Sequence, residues 1–348
     1  MSMYTTRRRF GTFAAATAAT VMALVLTACG GGSSAKSDDL TKLVIAEPAH
    51  SLGYLPLYVG IDKGFFADEG LDVETVTLQG GGAHTNAVLT GQAWAFIGGP
   101  EHNAFAAARD NAVVIKSISN VVNRGNVYLV AKNGLEYTGD LGSFLKGKTI
   151  VTGAPGGTPH SITMYLLGEN GLENGSDVKL IESAEPSAPL AIVKQGKADI
   201  AVTSEPVLGQ GVSQGIWDEP FYNVPKELGP YAYSTINVRE DSYKKDPESV
   251  KAFIRAMRKS LELVKNDEAE AFAVAKKQFP TLDPAVMEET IDRAIADELW
   301  GWTGEVSPES VETTLDVVRA AGILKDSADP VQYEDIVDMS FWDEASNQ

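Results

Sequence analysis

The chain has 348 residues, of which 44% are apolar and 22% charged, and 47 acidic residues against 29 basic ones leave it at a formal −18. An acidic balance of that size repels nucleic acid and offers anionic lipid no broad basic face, while the length and apolar content fit a globular protein of about two domains. Its one cysteine excludes an internal disulfide framework and a cysteine metal cluster.

Residues 1–28 read as an export signal. Arg7, Arg8 and Arg9 give a positive start, and the uncharged stretch that follows Phe13 falls short of the ~20 residues that a membrane-spanning helix needs. Small residues Thr27 and Ala28 precede Cys29, which predicts cleavage there and thioether attachment of lipid to Cys29; a buried small hydrophobe is the alternative. Gly30-Gly31-Gly32-Ser33-Ser34 has the composition of a flexible tether, assigned to residues 29–40. The arginines followed by Phe10 resemble a twin-arginine signal, and an ordinary secretory n-region fits equally well.

Beyond the tether, β-rich runs alternate with helical ones. Strands are expected over residues 43–46, 73–78, 94–97 and 113–118, with helices over 55–66 and 83–90. A second series follows, with strands at 149–152, 178–181 and 200–202 and helices at 159–170 and 188–195. Alternation of this kind predicts parallel βαβ units with ligands at the carboxyl ends of the strands. The two series overlay at an offset of 105 residues, with Asp72-Val73 on Asp177-Val178 and Gly91-x-Ala93 on Gly196-x-Ala198, and both finish at a Pro-Glu pair, Pro100-Glu101 and Glu205-Pro206. Two like lobes are the simplest explanation. Crossovers are expected around residues 133–137 and 225–233, which gives lobe 1 as 41–132 plus 233–348 and lobe 2 as 133–232. After Asp246 the chain turns almost wholly helical.

Seven stretches, in order, resemble the periplasmic binding proteins for sulfonates, nitrate, taurine and pyrimidine precursors of thiamine. They begin with Tyr54-Leu55-Pro56-Leu57-Tyr58 through Lys63-Gly64-Phe65-Phe66, Glu69-Gly70-Leu71-Asp72-Val73 and Gly80-Gly81-Gly82. Leu89-Thr90-Gly91-Gln92-Ala93, Gly147-Lys148-Thr149-Ile150, Gly196-Lys197-Ala198-Asp199 and Asp246-Pro247-Glu248-Ser249-Val250 complete the set. The resemblance implies a two-lobed, type II-like α/β binding fold with a C-terminal helical extension. It also implies a small-molecule solute held in the interlobe cleft and handed to an ABC permease with its cytoplasmic ATPase, and no catalysis or cofactor.

Physical reasoning then nominates ligand contacts. Residues 51–55 and Gly157-Thr158 would aim free N–H groups at helix starts into the cleft, and Gly81, Gly82 and Gly99 would let a ligand approach backbone; glycines after strands are also ordinary turns. Tyr54 would clamp a planar ligand or pack on its own helix. Glu101 and Glu205 would face the cleft or complement a helix dipole. His84 and Asn123 complete the set. Two carboxylates disfavour a sulfonate or nitrate and favour a donor-rich group, and Arg124 is the cation that would reverse that inference. Trp300 and Trp302 are read as core or as a lid.

Three motif matches are set aside. Residues 142–149 spell a P-loop, but a helical turn precedes the glycines and a strand follows them, the reverse of what phosphate binding requires. Residues 211–215 spell a nucleophile elbow with a helix where the strand should be. His50, His84, His102 and His160 lack metal-ligand spacing. The rivals to import are a secreted enzyme of the same fold and a ligand-sensing lipoprotein.

Overall fold

In a computed structural model of the protein, residues 40–79, 82–107, 113–325 and 330–346 are described. The leader, Cys29, the tether as far as residue 39, Gly80 and Gly81 lie outside the described residues. β-Branched and aromatic residues between glycine-rich breaks give, in chain order, β1 (Thr41–Glu47), β2 (Leu71–Thr77), β3 (Ala95–Gly98) and β4 (Ile115–Arg124). β5 (Tyr128–Ala131), β6 (Thr149–Gly153), β7 (Lys179–Ser183), β8 (Ile200–Thr203), β9 (Tyr222–Asn223) and β10 (Pro230–Arg239) follow.

These strands make two five-stranded sheets, ordered β2-β1-β3-β10-β4 and β7-β6-β8-β5-β9. In each, one strand, β10 or β5, runs against the other four. The central strands β3 and β8 are buried at every residue, which is why both read as unbroken apolar runs rather than alternating ones. The 105-residue offset carries the helix Ala83–Leu89 onto Ala188–Lys194 and β3 onto β8 without a gap. The chain therefore has the expected two-lobed α/β architecture.

Two sequence expectations need correction. The helix expected over residues 55–66 is two helices, Leu55–Asp62 and Phe65–Asp68, because Gly64 takes a left-handed φ of 75° that ends the first. The outgoing crossover lies at residues 125–127 rather than 133–137. Tyr128–Ala131 is already strand β5, paired with β8 and β9 in the second sheet, and the Asn133 N–H donates to the Ile216 carbonyl on that same side. The polar Asn133-Gly134 is a turn after a second-lobe strand. The return crossover, at Gly229-Pro230, falls inside the expected segment.

The C-terminal helices begin where capping chemistry dictates. Asp246, Asp283 and Ser307 each accept a hydrogen bond from a first-turn N–H, and proline follows each. The helix Pro284–Ala296 packs Met287, Ile291 and Ala294 into the core of the first lobe, whereas Val317 of the helix Pro308–Ala320 joins a core cluster of the second. The extension thus spans both lobes.

Gly211 sits where no side chain fits, since a Cβ there would stand inside the ring of Trp217, a buried indole that donates to the Leu208 carbonyl at 2.9 Å. Gly211→Ala is expected to cost about 1–3 kcal/mol, read as a lowered denaturation midpoint with unchanged m-value. An unshifted midpoint would mean the Trp217 pocket is soft.

Candidate functional site

The carboxyl ends of the parallel strands in both sheets open onto one cavity of about 210 Å3. The first lobe contributes Ser51, Tyr54, Gly82, His84, Gly98 and His102, and the second contributes Gly157, Thr158, Thr203 and Ser204. The floor is the hinge itself, with Asn126 and Val127 from the outgoing crossover and Tyr233 and Ser234 from β10.

Local structure places each of these. Ser51 accepts a hydrogen bond from the Gly53 N–H and so caps the short turn that leads into the Leu55–Asp62 helix. That turn carries Tyr54, 6% exposed, whose ionisation burial suppresses. In the opposite lobe Gly157 caps the twelve-residue helix Thr158–Glu169 and presents its N-terminus to the cavity.

Behind this wall the Thr158 hydroxyl donates to Glu101 Oε1 at 2.6 Å, joining the helix starts of the two lobes. Glu101 is 1% exposed, and burial pushes its carboxyl up to about 7 against the pull of Thr158 and its own backbone. Its other oxygen has no hydrogen-bond partner. Burial pushes His84 down to about 3, with a smaller contribution from His102, and His102 down to about 4. Both rings are therefore neutral at pH 7, packed edge to face 4.8 Å apart, and both nitrogens of His84 lack partners. Unsatisfied buried polar atoms, normally scarce, cluster around this cavity.

Charge on the lining is one-sided. Among the described lining residues there is no lysine or arginine, and the exposed Glu185 is the one formal charge. An anion there would rest on neutral donors, the backbone N–H groups and helix dipoles together with hydroxyls and the Asn126 amide, with no cation from the described lining.

Of the residues nominated from sequence, Tyr54, Gly82, His84, Gly157 and Thr158 line the cavity. Gly81 lies outside the described residues. Glu101 stands one layer back, under Thr158. Gly99 gives way to Gly98 on the lining, and serves the carboxylate instead, since a Cβ at residue 99 would collide with the Glu101 side chain. Asn123 is turned away, accepting from Asn120 Nδ2 at 2.7 Å. Glu205 is absent from the lining and engaged elsewhere, where Arg293 Nε donates to it at 2.9 Å, Thr290 at 3.2 Å and the Gly209 N–H at 3.0 Å. Arg124 is paired with Glu298 at 2.7 Å and supplies no cation to the cavity. Trp300 is buried, donating to the Gly53 carbonyl, and packs on Trp302. Asn126 was missed because it belongs to the outgoing crossover, which was expected too late in the chain, whereas Tyr233 and Ser234 lie near the start of β10, just after a return crossover that was expected where it is, and no local signal marks them as floor.

The family model described as NMT1/THI5 like matches residues 52–271. YtlA of Bacillus subtilis (strain 168), named provisionally as a binding protein, is 27% identical over 259 residues, 74% of this chain and 77% of its own length. Among solved structures, the periplasmic nitrate-binding protein NrtA of Synechocystis PCC 6803 aligns with a TM-score of 0.71 at 16% identity, covering 89% of both chains. The alkanesulfonate-binding protein SsuA of Xanthomonas axonopodis pv. citri aligns at 0.65 and 17%, over 83% of this chain and 96% of its own. An enzyme shares the fold as well: the desulfurization enzyme DSZB aligns at 0.63 and 12%, over 88% of this chain and 99% of its own. At these identities the likeness to solved structures is one of fold.

Proposed function

Because the chain belongs to the NMT1/THI5-like family, we propose that it is the extracytoplasmic solute-binding component of an ABC importer, tethered through a lipid on Cys29 and delivering its solute to a membrane permease. The observation that carries this reading is the cavity, which both lobes wall and both crossovers floor, so that hinge motion would open and close it. The solute class follows from the lining. Tyr54, Tyr233, neutral His84 and His102, helix starts that donate N–H groups, and no described lysine or arginine suit an uncharged planar ring whose nitrogens accept hydrogen bonds, of the aminopyrimidine type, better than a nitrate or sulfonate. A binding role is favoured over catalysis because the nitrogens of His84 pair with no hydroxyl that they could activate.

The test is a thermal-shift panel of aminopyrimidines, aromatic acids, amines, sulfonates and nitrate on the protein lacking residues 1–28. A ligand at 100 times its Kd adds ~2.7 kcal/mol and raises Tm by several degrees. Tyr54→Ala is expected to weaken that ligand by about 10–100-fold in calorimetric titration. Turnover of an ester or amide with no shift from any solute would refute the import reading, and a shift from nitrate or sulfonate alone would refute the solute class.

A further inference from the structure

A second cavity of about 190 Å3 adjoins the cleft. The two share three residues, Gly82 from the first lobe, Gly156 from the second, and His102. An added Cβ at either glycine meets nothing within 4 Å of the described chain, so both glycines border open space. His102 forms its third side, with its ring held edge-on against His84 and against Phe105 at 5.9 Å.

The walls of this chamber differ from those of the cleft. Leu89, Phe105 and Ala106 line it with apolar surface, beside the exposed Asn86 and one buried hydroxyl. Thr85 is only 7% exposed, and its Oγ1 has no hydrogen-bond partner. Thr163, Thr290 and Thr314 bond back to a carbonyl of their own helix four residues earlier at 2.7–2.9 Å, whereas Thr85 is the third residue of the helix Ala83–Leu89 and has no helical carbonyl at that spacing. A buried hydroxyl left unsatisfied next to a cavity is a group kept free for a partner.

We infer that the solute has two parts, a ring held in the cleft and a short arm that passes His102 into the second chamber, apolar along its length and ending in a group that hydrogen-bonds Thr85. This rests on the proposed ring-binding function and deepens it, making Thr85 a specificity-determining residue that never touches the ring.

The experiment is calorimetric titration of 4-aminopyrimidine, its N-propyl derivative and its N-(3-hydroxypropyl) derivative against the wild type and Thr85→Val. The hydroxypropyl compound is expected to bind the wild type about 10-fold more tightly than the bare ring, and Thr85→Val to remove most of that gain while leaving the bare ring unchanged. Ala106→Leu, which narrows the chamber without touching Thr85, is expected to weaken both armed compounds and spare the bare ring. Equal affinity for bare and armed rings in the wild type overturns the inference alone, and so does an equal loss for all three compounds in Thr85→Val. Failure of all three to bind the wild type overturns the ring-binding reading together with this one.

Discussion

Arg293→Ala should lower the stability of the ligand-free protein by about 3–5 kcal/mol, the cost of leaving a buried carboxylate without its counter-ion. Glu205 is only 8% exposed, and burial raises its pKa while the Gly209 N–H and Arg293 draw it back. Arg293 also reaches Glu219 at 2.9 Å and lies over the Tyr128 ring, so it ties the helix Pro284–Ala296 to three points of the second lobe. One turn on, Asp297 repeats the arrangement by accepting from the Tyr128 hydroxyl at 2.8 Å and from Asn223, with Lys226 3.0 Å away. Since the same helix is rooted in the first core through Met287 and Ile291, cutting this tie loosens one lobe against the other as well as exposing a charge. Urea unfolding measures the loss, and Glu205→Gln combined with Arg293→Met should recover most of it. A loss under ~1 kcal/mol for Arg293→Ala would mean that the pair behaves as an exposed surface bridge.

The fate of Glu205 marks where sequence reasoning stops. The internal repeat was legible because secondary structure has a period and the two copies kept it, down to matching helix and strand boundaries at an offset of 105. Extending that symmetry to the acids failed for a local reason, because one copy reads Pro-Glu and the other Glu-Pro. The carboxylate of the second copy starts one residue earlier along the turn, and its partners are 85 and 88 residues away in a helix that has no counterpart in the first copy. The outgoing crossover hid for a different reason. β5 follows β4 after three residues and pairs only with strands that come later, so nothing adjacent to it announces a change of sheet. Once that error is made, Asn126 looks like interior first-lobe chain rather than cleft floor. What the sequence did carry was the chemistry of the cleft's rims, Tyr54, Gly82, His84, Gly157 and Thr158, since helix starts and glycine turns are local signals.

The pH profile of stability should separate the roles of Glu101 and the two histidines, because they pull in opposite directions. Glu101 holds its proton up to about 7 when folded, against an ordinary 4.5, so the native state binds the extra proton and stability falls as pH rises from about 4.5 to about 7. His84 and His102 lose theirs only near 3 and 4 when folded, against an ordinary 6.5, so the unfolded state binds the extra protons and stability rises over about pH 3–6.5. Between 4.5 and 6.5 the terms oppose, and two histidines outweigh one glutamate, giving a shallow climb; above 6.5 the glutamate acts alone and the curve turns down. Glu101→Gln keeps an oxygen to accept from Thr158 and cannot ionise. Its profile should therefore climb more steeply to pH 6.5, show no decline above it, and stand roughly 1–2 kcal/mol above wild type at pH 8, after allowing for an amide N–H that lacks an acceptor. Thermal unfolding of ligand-free protein at half-unit steps from pH 4 to 8 reads this directly. Parallel profiles for the variant and the wild type would show that Glu101 is hydrated where it sits and keeps an ordinary carboxyl titration.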